Sequence, residues 1–366
     1  MHAALDACSV VIIDLKLLDE RESEQARARS GLLPSDGLAL KEVLSSWLAR
    51  RALLHTNSTD GAPIDIQPHK TAFVVYSGEL ERMSGRSPVF GREHVIARQA
   101  RVEWVMSKLE AQRPAPQRKL MSLLELAAAV EAIRRVEWIS LSERQGILGA
   151  VGSLMGLREG DDWFEHALRM AVEFRPPIQS LGSGDGMSLL RWLLHIVLPF
   201  PSFLVDASEV GLLLRVDPGW CYGELDSSSP LRAVLSEFEY RGVLAKFLGR
   251  RWWRAGVIEK VRSTLGPLRH QSTALAQEVA TWARVDADVL PVIREPIPVR
   301  VVDPEFRLTG EVIDASCAVR LDPEDWPEPL ARPWISIDVV REHPTLVRYV
   351  VASDLERVVP SDGPIA

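Results

Sequence analysis

Most of the features that would classify this chain at a glance are missing. It has three cysteines, Cys8, Cys221 and Cys317, far apart and odd in number. That spacing makes neither a disulfide framework nor a zinc site, and it suits a reducing compartment. No apolar run nears the roughly 20 residues that span a bilayer. The longest candidate, residues 193–205, is interrupted by His195, Pro199 and Pro201. The N-terminus shows no basic segment followed by a clean apolar stretch and a small-residue cleavage site, which argues against a secretory leader. A net positive charge is lacking too. The formal charge is -7, so no global field draws nucleic acid, although a local basic patch stays open. The histidines are scattered, with no H-x-x-x-H or Cys/His grouping, so no metal and no cofactor are expected. No G-x-S-x-G elbow and no P-loop occur. The expectation is a cytoplasmic protein without a membrane segment.

What is present is ordinary globular material. Hydrophobic residues make up 46% and charged residues 25% of 366, enough for two or three domains. Tryptophan stands out, with 11 residues against 4 tyrosines. Trp47, Trp104, Trp138, Trp192 and Trp282 sit beside Leu and Val and read as core anchors. The Trp252–Trp253 pair could instead serve an interface.

Along the chain, Ser9–Leu18 is a β-branched run of the kind buried in a parallel sheet. Helical spacing follows in Gly37–Leu54, through Leu38, Val43, Leu44, Trp47 and Leu48. Thr71–Tyr76 reads as a second buried strand, His94–Ala97 as a third short strand, and Val102–Leu109 as helix. Strand and helix alternating with short connections is the pattern of a parallel α/β sheet. The polar, Pro-bearing residues 110–119 suggest a boundary. Residues 120–290 read as mainly α-helical, with helices at Met121–Ile139, Glu143–Met155, Trp163–Phe174 and Ser188–Val197, and a break near Gly266–Pro267. From Pro291 strand-like pieces return, including residues 296–302, Glu311–Ile313, Ala318–Leu321, Ile335–Val340 and Val347–Val351. The expected organisation is an α/β domain over 1–112, a helical domain over 120–290, and a small β-rich or α+β module over 291–366.

The N-terminal pattern resembles the second half of a bacterial response-regulator receiver domain. Val10-Val-Ile-Ile-Asp14 looks like that family's third strand with its acceptor aspartate. Pro34, Asp36 and Gly37 look like its turn into the next helix. Val74-Val-Tyr-Ser77 looks like its fourth strand with the hydroxyl. The resemblance covers roughly residues 9–108 and implies a partial parallel sheet with a pseudo-site of Asp14, Asp36 and Ser77. Three departures stand out. Only eight residues precede Ser9, which leaves no place for the strand and acidic pair that hold Mg²⁺ in the family. About fifteen Glu- and Arg-rich residues are inserted between Asp14 and Pro34. The lysine expected after the fifth strand is not found, since Arg98 follows His94–Ala97 and Lys108 falls on the expected helix. Phosphoryl transfer to a carboxylate needs charge neutralised on the transferring oxygens, so the resemblance implies a degenerate, non-enzymatic module acting as an adaptor through a protein partner. Such modules resemble those of bacterial signalling and antiviral defence systems.

Two other stretches invite function. Gly182-Ser-Gly-Asp-Gly186 precedes a helix, as phosphate loops do, but no strand leads in and no Lys-Ser/Thr follows, so an interhelix loop is the simpler reading. Residues 240–254 are the most basic part of the chain. Arg241, Lys246, Arg250, Arg251, Trp252, Trp253 and Arg254 could contact nucleic acid or a partner, and residues 204–262 faintly suggest a winged helix. That gives the alternative of a DNA-binding transcriptional regulator with a receiver-like sensory domain. The competing reading is a helix whose Arg stems cover apolar neighbours and whose indoles are core.

Overall fold

The computed structural model describes residues 8–15, 37–56, 70–78, 80, 92–108, 116–141, 143–158, 160, 162–295, 297–324, 326–327 and 330–358. Asp36 and Pro34, and the boundary segment up to residue 115, lie outside them.

The chain opens with β1 (Val10–Ile13), α1 (Gly37–Thr56), β2 (Ala72–Ser77), α2 (Glu93–Gln99) and β3 (Trp104–Ser107). The three strands form a parallel sheet in the order β1-β2-β3, with Val10 opposite Ala72 and Ser77 opposite Ser107. The expected parallel α/β arrangement is present, but two of its parts exchange roles. His94–Ala97 is helix, not strand, and residues 104–107 are strand, not helix. A short apolar run fits either period. The deciding difference is burial: Val102, Trp104, Val105 and Met106 are all buried, whereas α2 buries only Ile96 and Ala97. A segment enclosed on both faces suits a strand of a covered sheet.

One face of the sheet, Val11 and Ile13 with Phe73, Val75 and Val105, packs against Leu38, Leu44, Trp47 and Leu48 of α1 and against Ile96 and Ala97 of α2. α3 (Pro116–Arg134) packs against β1 and β2. It starts at a proline, whose fixed φ and missing N–H suit a first helical turn. Its last residue, Arg134, donates to the carbonyl of Cys8 (2.8 Å) and pairs with Glu131 (2.9 Å). Glu131 also accepts from Ser9. The helix is thereby seated at the strands' amino ends, and the Ser9 hydrogen bond, first among the causes, holds the Glu131 carboxyl below its usual pKa.

A 3-10 turn (Trp138–Ser140) leads to α4 (Arg144–Leu154), α5 (Phe164–Glu173), α6 (Ile178–Gly182) and α7 (Met187–Trp192), which runs on into a π turn at Leu193–Val197. Then come β4 (Leu204–Val205), α8 (Ala207–Leu214), α9 (Pro218–Asp226), α10 (Pro230–Leu235), β5 (Trp252–Trp253), α11 (Arg254–Leu265) and α12 (Ser272–Ala283). Three of these helices have their starts written in the sequence. Asp206, Asp217 and Ser229 each accept from a backbone N–H three residues on, at 2.8, 2.7 and 3.1 Å, and Pro218 and Pro230 follow two of the caps.

The C-terminal sheet holds β6 (Pro298–Val302), β7 (Leu308–Asp314), β8 (Ala318–Arg320) and β9 (Trp334–Ser336) in the order β7-β6-β9-β8. It is mixed, with β6 and β9 parallel and the other pairs antiparallel. Two of the expected β pieces change. Ile335–Val340 is strand only to Ser336, whose hydroxyl accepts from the Asp338 N–H and starts α13 (Ile337–Glu342). Most of Val347–Val351 lies in a 3-10 segment, Pro344–Tyr349.

Packing divides the chain into two units that interleave in sequence: residues 1–158, 175–199 and 241–248, and residues 159–174, 200–240 and 249–366. The three consecutive segments suggested by composition do not coincide with them. The second unit holds an aromatic cluster. Trp253 stands 5.7 Å from Phe203, 5.8 Å from Trp163 and 5.8 Å from Tyr240, ring centre to ring centre.

Candidate functional site at the carboxyl edge of the parallel sheet

Each strand of the parallel sheet ends in a polar residue. β1 is followed by Asp14, β2 ends at Ser77, and β3 is followed by Lys108. The pairing register makes neighbours of them. Ser77 lies opposite Ser107, and the Lys108 N–H donates to the Ser77 carbonyl (2.9 Å). The Lys108 ammonium donates to a carboxylate oxygen of Asp14 and lies 5.7 Å from the centre of the Tyr76 ring. Ser77 is buried, whereas the Asp14 and Lys108 side chains keep 36% and 41% of their surface. The salt bridge is therefore solvated, open to competition by another charged group, and worth little to folding.

Gly37 frames the same edge. Its N–H donates to the Leu15 carbonyl (3.1 Å). A Cβ on Gly37 would fall 2.0 Å from the Asp14 carbonyl oxygen. The glycine read from sequence as part of a turn is thus required by close approach of the helix start to the strand end.

Sequence reasoning brought Asp14 and Ser77 to this edge and missed Lys108. The error followed from the exchange of α2 and β3: once the third strand is 104–107, the next residue is the lysine. The signal was available in Trp104-Val-Met-Ser, a short apolar run ending in a charge. Glu103, Arg191 and His195 were also not singled out together. Glu103 is buried beside β3 and accepts from the Phe73 N–H (2.6 Å) and from Arg191 (3.0 Å).

The basic stretch is divided between the two packing units. Arg241 and Lys246 belong to the first unit, and residues 250–254 to the second. Trp252 and Trp253 are each 1% exposed, which is the core-anchor reading and leaves no ring face free to stack on a base. Arg250 is tied to Glu239 (3.4 Å) and Asp226 (3.6 Å). Burial, first among the causes, lowers the pKa of Arg251. Arg241, Lys246 and Arg254 are exposed.

The glycines of residues 182–186 also have packing reasons. Gly184 has φ +91°, and a Cβ on Gly186 would meet the Trp138 indole nitrogen at 2.6 Å.

Among the described residues no helix is long and apolar enough to cross a membrane. No family model matches the chain, and neither a curated protein nor a solved structure matches it.

Proposed function

We propose that the protein is a non-enzymatic signalling or adaptor component with a degenerate receiver-like N-terminal sheet, acting through protein contacts. One observation carries the reading: Asp14, Ser77 and Lys108 close three successive parallel strands in that chain order, with the lysine on the aspartate. In receivers an Asp, a Ser or Thr and a Lys close three successive strands in the same way, so Lys108 now joins the resemblance. A receiver also uses Mg²⁺. Among the described residues no three acidic, His or Cys side chains come together to hold a metal, so they do not fit that ion. Among the described residues Lys108 is the cation that meets Asp14, where the charge on a transferring phosphoryl group would fall.

Two features support contact rather than chemistry. β1 is an outer strand of the sheet, and Ile12 on it is 51% exposed. An outer strand with an exposed apolar side chain favours a covering partner. The setting, bacterial signalling or defence, rests on the resemblance. The DNA-regulator alternative has no observation in its favour, because the aromatic half of the basic stretch is core.

The test is to incubate the full chain with acetyl phosphate, or with beryllofluoride, plus Mg²⁺, and follow intact mass and amide spectra. The expected result is no phosphoryl gain and no shift. Uptake abolished by Asp14→Ala would make the site a working acceptor and overturn the reading. A companion capture experiment should retain one stoichiometric protein through gel filtration, and its loss in Ile12→Lys would place the contact on β1. A chain that retains no partner under native conditions refutes the adaptor role.

A further inference from the structure

The amino ends of the same strands, opposite the Asp14 edge, carry a different chemistry. A cavity of about 350 Å³ lies there within the first unit, lined by Lys41, Ser45, Arg98, Arg101, Glu103 and Arg191, with His195 in its wall. Its charge is one-sided. Among the described residues four cations face it, and one carboxylate does, Glu103. That carboxylate is already committed to Arg191 and to the Phe73 N–H. Among the described residues neither Arg98 nor Arg101 has an acidic partner, and both are exposed at the cavity mouth. Lys41 is the reverse case. Its side chain is only 9% exposed, and its partner Glu42 (2.9 Å) is 62% exposed, so solvent screens the one charge that balances a nearly buried ammonium. The Ser45 hydroxyl is also buried and has no hydrogen-bond partner among the described residues. A buried hydroxyl left unpaired is destabilising.

These observations share one remedy. A multiply charged anion in the cavity would neutralise Lys41, Arg98 and Arg101 together and give the Ser45 hydroxyl an acceptor. A monocarboxylate supplies too little charge. Phosphate groups supply two or more charges and several acceptor oxygens, matched to guanidinium forks. The volume falls in the range of small-molecule sites.

We propose that this cavity binds a small phosphorylated molecule through its phosphate groups, with Lys41 and the Ser45 hydroxyl at the inner end and Arg98 and Arg101 at the mouth. The state of His195 agrees with this. Burial, first among the causes, lowers its pKa to about 4; the hydrogen bond from its Nε2–H to the Glu103 carbonyl (2.9 Å) opposes this, and Arg191 and Arg98 lower it further. An anion nearby would offset the arginines and raise it again.

The experiment uses the full chain at low salt, with inorganic pyrophosphate, AMP, ADP, adenosine and sulfate as probes in calorimetry. Pyrophosphate and ADP are expected to bind saturably, and adenosine not at all. Tighter binding of ADP than of pyrophosphate identifies a nucleotide, and the reverse identifies inorganic diphosphate. The Arg98→Gln/Arg101→Gln double variant changes only exposed side chains and should keep the fold. It is expected to weaken binding by roughly tenfold or more, the loss of about one charge-assisted hydrogen bond. The His195 ring resonances should titrate at higher pH in the bound state. Absence of saturable binding by every phosphate probe overturns the proposal. So does binding that sulfate matches, or that the double variant leaves unchanged.

Discussion

Two carboxylates meet cations at strand ends in this chain, and the contrast separates a latch from a site. In the C-terminal sheet, Asp354 accepts from the Arg320 backbone N–H (2.9 Å), its Nε (2.9 Å) and its Nη2 (2.8 Å). Asp354 is 5% exposed, and these bonds, led by the Arg320 side chain, hold its carboxyl far below the usual range. In the N-terminal sheet, Asp14 meets Lys108 with both side chains more than a third exposed. The first pair is multiply bonded with its carboxylate shielded, so it fixes β8 to the 3-10 segment Ala352–Arg357. The second pairs a point charge with a solvated carboxylate and fixes little. The same residue class therefore makes a multiply bonded latch in one sheet and a solvated pair in the other.

The largest break of that comparison is Asp354→Ala. It leaves the Arg320 guanidinium and its backbone N–H without their acceptor and is expected to cost about 3 kcal/mol, read as a lower midpoint in denaturant unfolding. The effect should depend on acid in a fixed direction. A depressed folded pKa contributes stability that is present above the unfolded value and lost as pH falls toward the folded one. The difference between wild type and variant should thus be full at neutral pH and shrink below about pH 4.

Gly37→Ala comes next. Its methyl would strike the Asp14 carbonyl, forcing α1 away from β1 at an expected cost of about 2 kcal/mol. Thermal unfolding measures the cost, and a displaced Asp14 backbone amide resonance would locate it.

The amino edge of the parallel sheet gives a third effect with the same acid sign, here through a group held neutral. His195 is buried and kept neutral, so its folded pKa of about 4 lies below the unfolded 6.5. The unfolded chain then binds the proton first, and stability falls as pH drops from about 6.5 toward 4. The His195 share of the loss by pH 5 should be about 2 kcal/mol. His94, whose pKa burial and then His195 lower to about 3, adds a loss of the same sign, so His195→Asn should reduce that limb of the stability–pH curve by about half. An unchanged limb would mean that the imidazole protonates freely in the fold.

The smallest effect is Lys108→Ala, expected below about 1 kcal/mol and smaller still at high salt. A cost near that of Asp354→Ala would erase the distinction and make Asp14–Lys108 a latch as well.

Much of the frame was legible in the sequence. The β-branched runs of β1 and β2 and the apolar spacing of α1 are local signals, and local signals survive into the fold. The alternating texture after Pro291 correctly announced a sheet. The misreadings share a cause. His94–Ala97, residues 102–109 and Val347–Val351 are short apolar pieces whose period is ambiguous, and neighbours far along the chain decide their state. The site suffered with them, since Lys108 joins Asp14 only when β3 is a strand.

By itself, the sequence determined that this chain has a parallel α/β start, a long helical stretch and a β-containing end. It also placed an aspartate and a serine at the ends of the first two strands. Only tertiary structure decided that a lysine completes that edge, that the tryptophan pair is core, and that four cations from separate elements surround one cavity. The reason is reach. Caps and periodicity act within a few residues, whereas strand pairing and charge clustering join residues such as Asp14 with Lys108, or Lys41 with Arg191, that no local pattern connects.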